Sequence, residues 1–318
     1  MKKTLIALAA VAATGAAFAQ SSVTIYGKVD VGIRKMSDSS ADLYTPHGSR
    51  LGFRGEEDLG GGLKAKFQIE HRFRPDDGTD AGYTAASTNP TTGVTTPAVA
   101  RFWNGLSTVG LAGGFGELRL GRYYSANFLG ANNKADPFGG DGAAALRGVG
   151  MLTTAPYIRT ANVIHYSGNF SGVNVAVSTG LKEGAAKAHN SIAVGYANGP
   201  LDVGVGRDNG QDDGNLTNLY ATYDLGVAKL AVGMGRRSTA AGVDTDGLLV
   251  GATIPAGPGR VLVGYARNKT DDVTNASKVG LGYFYPLSKR TTIEFTVGSD
   301  SKATTNKRGY DLTLHHNF

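Results

Sequence analysis

The chain has 318 residues, of which 41% are hydrophobic and 18% charged, with 47 glycines and no cysteine. The missing cysteines exclude a disulfide framework, and beyond the first segment no apolar run approaches the roughly 18 residues of a transmembrane helix. The formal charge of +6 includes Lys2 and Lys3 at the N-terminus; so small an excess, with no basic run interleaved with aromatics, argues against a nucleic-acid partner.

In chain order, Lys2 and Lys3 precede a short apolar run from Thr4 to Thr14, and Ala17-Phe18-Ala19 is a small-x-small cleavage site. This is the grammar of an export signal, too short to span a bilayer. Residues 1–19 are therefore expected to be removed, leaving one domain from 20 to 318.

From Val23 the pattern has a period of two. In Val23-Thr24-Ile25-Tyr26-Gly27-Lys28-Val29-Asp30 the apolar residues alternate with polar ones, which gives a strand one apolar and one polar face. The same pattern predicts strands near 23–35, 48–58, 62–74, 99–112, 115–123, 157–168, 172–182 and 189–198. It continues at 200–208, 215–225, 227–237, 243–255, 258–268, 274–286, 288–299 and 307–318. Sixteen is an even number, as a closed antiparallel barrel with both termini on one rim requires.

Connection lengths alternate. Short turns such as Asp58-Leu59-Gly60-Gly61, Gly113-Gly114, Asn198-Gly199 and Ala256-Gly257 follow even-numbered strands, whereas the longer polar connections, notably 75–98, 124–156, 209–214 and 269–273, follow odd-numbered ones. Short turns on one rim and loops on the other mark an outer-membrane barrel. A soluble β-sandwich also has regular strands, but it would have to bury Lys64, Lys66 and Glu70 opposite Leu63, Phe67 and Ile69. Charges in a dry core are prohibitive, so the enclosed polar face implies a watery lumen. On that face basic residues (Lys28, Arg34, Arg50, Arg54, Lys64, Lys66, Arg72, Arg74, Arg119, Arg159 and Lys229) outnumber acids such as Asp30, Glu70, Glu117, Asp202 and Glu294.

Motifs of other chemistry fail. None of the six histidines stands in a nucleophile or zinc-protease motif, and no phosphate-binding glycine loop occurs. Asp208-Asn209-Gly210-Gln211-Asp212-Asp213-Gly214-Asn215 superficially resembles a calcium loop but lacks the bidentate glutamate, so a solvated turn is the expectation. His315-His316 reads as interfacial rather than metal-binding. No catalytic residue, cofactor or metal is expected. Tyr310, Leu312, Leu314, His316 and Phe318 share one face of the last strand, and the terminal aromatic is similar to the assembly signal of outer-membrane proteins.

Several blocks carry a closer likeness: Gln20-Ser21-Ser22-Val23-Thr24-Ile25-Tyr26-Gly27, the run from Ser49-Arg50-Leu51-Gly52-Phe53 to Leu63-Lys64-Ala65, Gly113-Gly114-Phe115-Gly116-Glu117-Leu118, and Asp136-Pro137-Phe138-Gly139-Gly140-Asp141. Together they resemble the general trimeric porins of Gram-negative bacteria, nearest the β-proteobacterial branch. The resemblance implies an all-β, sixteen-stranded antiparallel transmembrane barrel whose third long loop, 124–156, folds inward. It implies a constriction in which wall arginines Arg50, Arg101 (opening the fourth strand) and Arg159 face Glu70 on the wall and the loop acids Asp136 and Asp141. Arg147 adds a positive charge on that loop. Many relatives carry Pro-Glu-Phe-Gly-Gly where this chain runs Pro137-Phe138. The implied function is passive diffusion of small hydrophilic solutes, and the excess of basic side chains on the polar face adds the expectation that anions are preferred. The implied partners are a homotrimer, lipopolysaccharide and outer-membrane lipid. A substrate-selective channel is the alternative, and a non-conducting structural or adhesin barrel a more distant one.

Overall fold

The computed structural model describes residues 22–82, 100–154, 157–182, 188–210 and 214–318, with the backbone of 87–88 and 95–96. The expected signal at 1–19, most of connection 75–98 and the centre of 209–214 lie outside the described residues. The barrel strands are β1 (Ser22–Met36), β2 (Arg50–Gly60), β3 (Leu63–Arg72), β4 (Leu106–Gly113), β5 (Gly116–Tyr124), β6 (Arg159–Phe170), β7 (Val173–Gly180) and β8 (His189–Asn198). They continue as β9 (Leu201–Asn209), β10 (Asn215–Asp224), β11 (Lys229–Ser238), β12 (Asp244–Ala256), β13 (Gly259–Thr270), β14 (Val273–Pro286), β15 (Thr291–Asp300) and β16 (Arg308–Asn317).

Each strand pairs antiparallel with the next, and β1 pairs with β16 from Lys28↔Asn317 to Met36↔Gly309, so the ring of sixteen closes. Gly27 and Phe318 exchange two backbone hydrogen bonds of 3.1 Å, which stitches the last residue into the ladder. Closure matters because lipid offers no partner to an unpaired strand edge. A short strand, Asp42–Tyr44, adds to β1 from Gly32↔Tyr44 to Arg34↔Asp42, beyond the reach of β2. It folds the first long connection back onto the wall.

The two faces separate as the period of two requires. Val23, Ile25 and Ile33 are exposed while Asp30 and Glu70 are buried. Exposed apolar residues recur on every barrel strand, a surface that only a non-aqueous surrounding tolerates.

Two local expectations need correction. The fourth strand starts at Leu106 rather than 99, because the Asn104 side chain takes the place of a ladder partner, accepting from Arg72 N (2.7 Å) and donating to Arg72 O (3.2 Å). The connection expected at 269–273 is a two-residue turn. Asp271 and Asp272 adopt φ of 48° and 65°, a geometry that suits the right-handed twist of a hairpin and that aspartate tolerates.

The connection between β5 and β6 lies across the polar face of the wall. It contains a π-helical turn, Phe128–Asn132, and a short helix, Arg147–Gly150. Its Ala135, Phe138, Ala144, Leu146 and Met151 are buried with wall residues Leu249, Leu262 and Phe284. Glycines on successive strands make the bed: a Cβ at Gly264 would meet Leu146 at 2.6 Å, and one at Gly280 would meet Ala144 O at 2.6 Å and Phe138 at 2.9 Å. Polar pins fasten both ends. Asn127 N donates to Ser191 Oγ (2.8 Å) and its amide to Asp208 (2.7 Å) and Asn218 (2.9 Å), while Ala143 N donates to Asp311 (2.5 Å).

Candidate functional site

Beside this loop, strand ends bring several arginines into one cleft. Arg50 opens β2 and Arg72 ends β3, and the hairpin register sets them directly opposite each other. Like charges in that position repel unless an anion lies between them. Glu70, buried on the same face, provides it, with Oε1 3.0 Å from Arg72 Nε and Oε2 4.0 Å from Arg50 Nη1. Glu70 is further held by the Tyr26 hydroxyl at 3.3 Å. The rest of the Arg50 fork donates to the carbonyls of Gly48 (3.1 Å) and His47 (2.8 Å), which fixes the guanidinium.

Arg159 opens β6 opposite Tyr124, the last residue of β5. It donates to the Tyr124 hydroxyl at 2.7 Å, as does Arg72 at 3.2 Å, and it lies over the same ring. Tyr124 stacks on Phe128 with 5.2 Å between centroids, and Arg147 covers the Phe128 ring. Among the described residues neither Arg147 nor Arg159 has a carboxylate within ion-pair distance; Arg147 donates instead to Gly139 O (2.5 Å) and Asn133. Burial holds the Arg147 guanidinium below its usual value, but arginine stays protonated.

The cleft is lined by Arg50, Arg72, Arg74, Arg147 and Arg159, with Asp141 as the one carboxylate among its lining residues. Asp141 is engaged by His47 Nδ1 at 3.2 Å, and His47 Nε2 reaches Glu294 at 2.5 Å. Burial alone would lower the His47 imidazole, but its bonds to Asp141 and Glu294 outweigh that and lift it to about 9.

Elsewhere on the polar face some of the basic residues are neutralised. Lys64 pairs with Glu56, and Lys66 (3.5 Å) and Arg119 (2.8 Å) with Glu117.

The sequence-predicted residues thus divide. Arg50, Arg159, Glu70, Asp141 and Arg147 come together. Asp136 does not face the cleft: its carboxylate accepts the backbone N–H groups of Phe138 (3.0 Å), Leu146 (2.8 Å) and Arg147 (2.7 Å), tying the loop to itself. Burial pushes this carboxyl up despite those bonds. Arg101 is exposed, ahead of β4 rather than in it, because of the late start that Asn104 imposes. Asp208 is no solvated loop residue either. It is fully buried, 3.1 Å from His189 Nε2, and Thr160 Oγ1 lies 2.6 Å from His189 Nδ1. These three have the spacing of a nucleophile relay, but they are buried beside the loop anchor Asn127, out of reach of any substrate.

Arg72, which the sequence marks only as one basic residue of the polar face, belongs to the site, as do Tyr124 and His47. Counting back from the Gly60–Gly62 turn would have set Arg72 opposite Arg50; no local signal distinguishes Tyr124 from Tyr123.

A profile of the Gram-negative porin family matches residues 4–305. Outer membrane porin protein 32 of Delftia acidovorans is 34% identical, over 92% of this chain and 88% of its own length. An outer membrane porin of Bordetella pertussis is 29% identical over 95% and 94%. Among solved structures, an anion-selective porin from Comamonas acidovorans matches with a TM-score of 0.77 at 28% identity, covering 94% of this chain and 100% of that one. A loop-deletion form of OmpT from Vibrio cholerae matches with a TM-score of 0.70 at 15% identity over 94% and 99%, a likeness of fold alone.

Proposed function

The chain belongs to the Gram-negative porin family, and on that premise we propose that its pore is a passive diffusion path that prefers anions, narrowed by the loop between β5 and β6. Porins of this family are outer-membrane channels, not enzymes. The observation that carries the anion preference is the imbalance at the cleft, where Arg147 and Arg159 meet aromatic and carbonyl groups instead of carboxylates. Fixed positive charge beside low-dielectric protein lowers the barrier for an anion and raises it for a cation. Arg50, Arg72, Arg147 and Arg159 form the positive side in this reading, and Glu70 and Asp141 the negative side.

The working form is a homotrimer in contact with lipopolysaccharide and lipid, and the mature chain starts at Gln20. Mass analysis of the outer-membrane protein tests the last point. The reversal potential of purified channels in a planar bilayer, across a gradient of dilute potassium chloride, tests the selectivity. An anion-selective sign is the expected result, and a cation-selective one overturns the proposal.

A further inference from the structure

His47, Glu294 and His315 reach one point from three places: the first long connection, β15 and β16. Their donor atoms all lie within 4.8 Å of one another. His47 Nε2 stands 2.5 Å from Glu294 Oε2, and His315 Nδ1 3.3 Å from Glu294 Oε1. Each ring is held from behind at its other nitrogen, His47 Nδ1 by Asp141 Oδ2 at 3.2 Å and His315 Nε2 by Asn317 Oδ1 at 3.1 Å. Both of those oxygens accept an N–H. In the neutral rings the remaining nitrogens are then lone pairs aimed at a single carboxylate. Such an arrangement needs a positive centre in the middle, either a proton on each ring or one cation. His315 Nδ1 is buried and has no hydrogen-bond partner among the described residues.

We propose that His47 Nε2, a Glu294 carboxylate oxygen and His315 Nδ1 bind one divalent transition-metal ion of the zinc class, with a fourth position left open. Two imidazoles and one carboxylate with an open position are the donors of a three-ligand zinc site, whereas calcium takes six or more oxygens. Bonds of about 2.0–2.1 Å place tetrahedral ligands roughly 3.4 Å apart, so the wider separations, within 4.8 Å at present, have to close by little more than an ångström, and the His47–Glu294 pair at 2.5 Å has to open by about an ångström. The carboxylate behind His47 is the outer partner that fixes a metal-binding imidazole in its tautomer. His316, next in sequence, is exposed and bonds Thr291 instead. Through Asp141 the ion would clamp the tip of the β5–β6 loop to the first connection and the wall.

The test is titration of the folded, chelator-treated oligomer in detergent with Zn2+ by calorimetry, and with Co2+ by visible absorption. One Zn2+ per chain and tetrahedral Co2+ bands are expected in the unmodified protein and in His316→Ala. His315→Ala and Glu294→Gln should weaken binding at least 100-fold, and Asp141→Asn roughly 10–100-fold. Folding of each variant is checked by its heat-modifiable mobility, with His315→Gln replacing any alanine variant that fails. Absence of binding in the unmodified protein overturns the proposal, as does binding that persists unchanged in the His315 variant. Neither outcome bears on anion preference, which rests on the arginines.

Discussion

Tyr124 holds Arg159 twice: its hydroxyl accepts from Arg159 Nη2 at 2.7 Å, and its ring lies 4.4 Å beneath the same guanidinium. Because Arg72 uses the same hydroxyl, one neutral side chain positions two charges without cancelling either. Charge-assisted bonds of this kind contribute about 1.5–3 kcal/mol each. Tyr124→Phe keeps the ring and every charge, so ion preference should keep its sign while open-channel current noise rises as the arginines gain freedom. Loss of the preference in this variant would mean that arginine placement outweighs arginine number.

Replacing Arg50 and Arg159 with glutamate should abolish or reverse the anion preference, as read from the reversal potential. In the unmodified protein the preference should be strongest in dilute salt, because the screening length falls from about 10 Å at 0.1 M to about 3 Å at 1 M. Arginine keeps its charge at any working pH, so the preference should hold from acid to mildly alkaline solution. A double variant as anion-selective as the parent would remove these residues from the mechanism.

Removing Pro137 to Gly142 should raise single-channel conductance if the loop narrows the path. Gly280→Val should do so without shortening the chain, since its Cβ would meet Ala144 O at 2.6 Å and lift the loop from its bed. An exposed-turn control, Gly114→Ala, has nothing within 4 Å of its Cβ and should leave conductance unchanged. Unaltered conductance in both the folded deletion and Gly280→Val would place the narrowest section elsewhere.

Asn127→Ala leaves Asp208 and Asn218 with fewer partners in a buried setting. The expected cost is about 1–3 kcal/mol at the loop anchor. It should appear as a lower temperature for conversion of the compact, heat-modifiable band, and as more frequent closures in bilayer recordings. A variant as heat-resistant and as quiet as the parent would show that the glycine bed alone seats the loop.

The sequence by itself determined what depends on near neighbours. Side chains of a strand alternate with period two, so the apolar and charged faces, the sixteen strands and most of the turns were legible along the chain. So was the likeness that brought Arg50, Arg159, Glu70, Asp141 and Arg147 to attention. Tertiary structure decided whatever depends on partners far apart in the chain. Asp136 and Asp141 are equivalent on paper, yet one is consumed by backbone N–H groups of its own loop and the other meets His47 from 94 residues away. Arg101 lost its place because a side chain 32 residues beyond Arg72 took over a ladder position. His47 and His315 meet across Glu294 only because the barrel closes β16 against β1, and ring closure sets a register that no local pattern encodes.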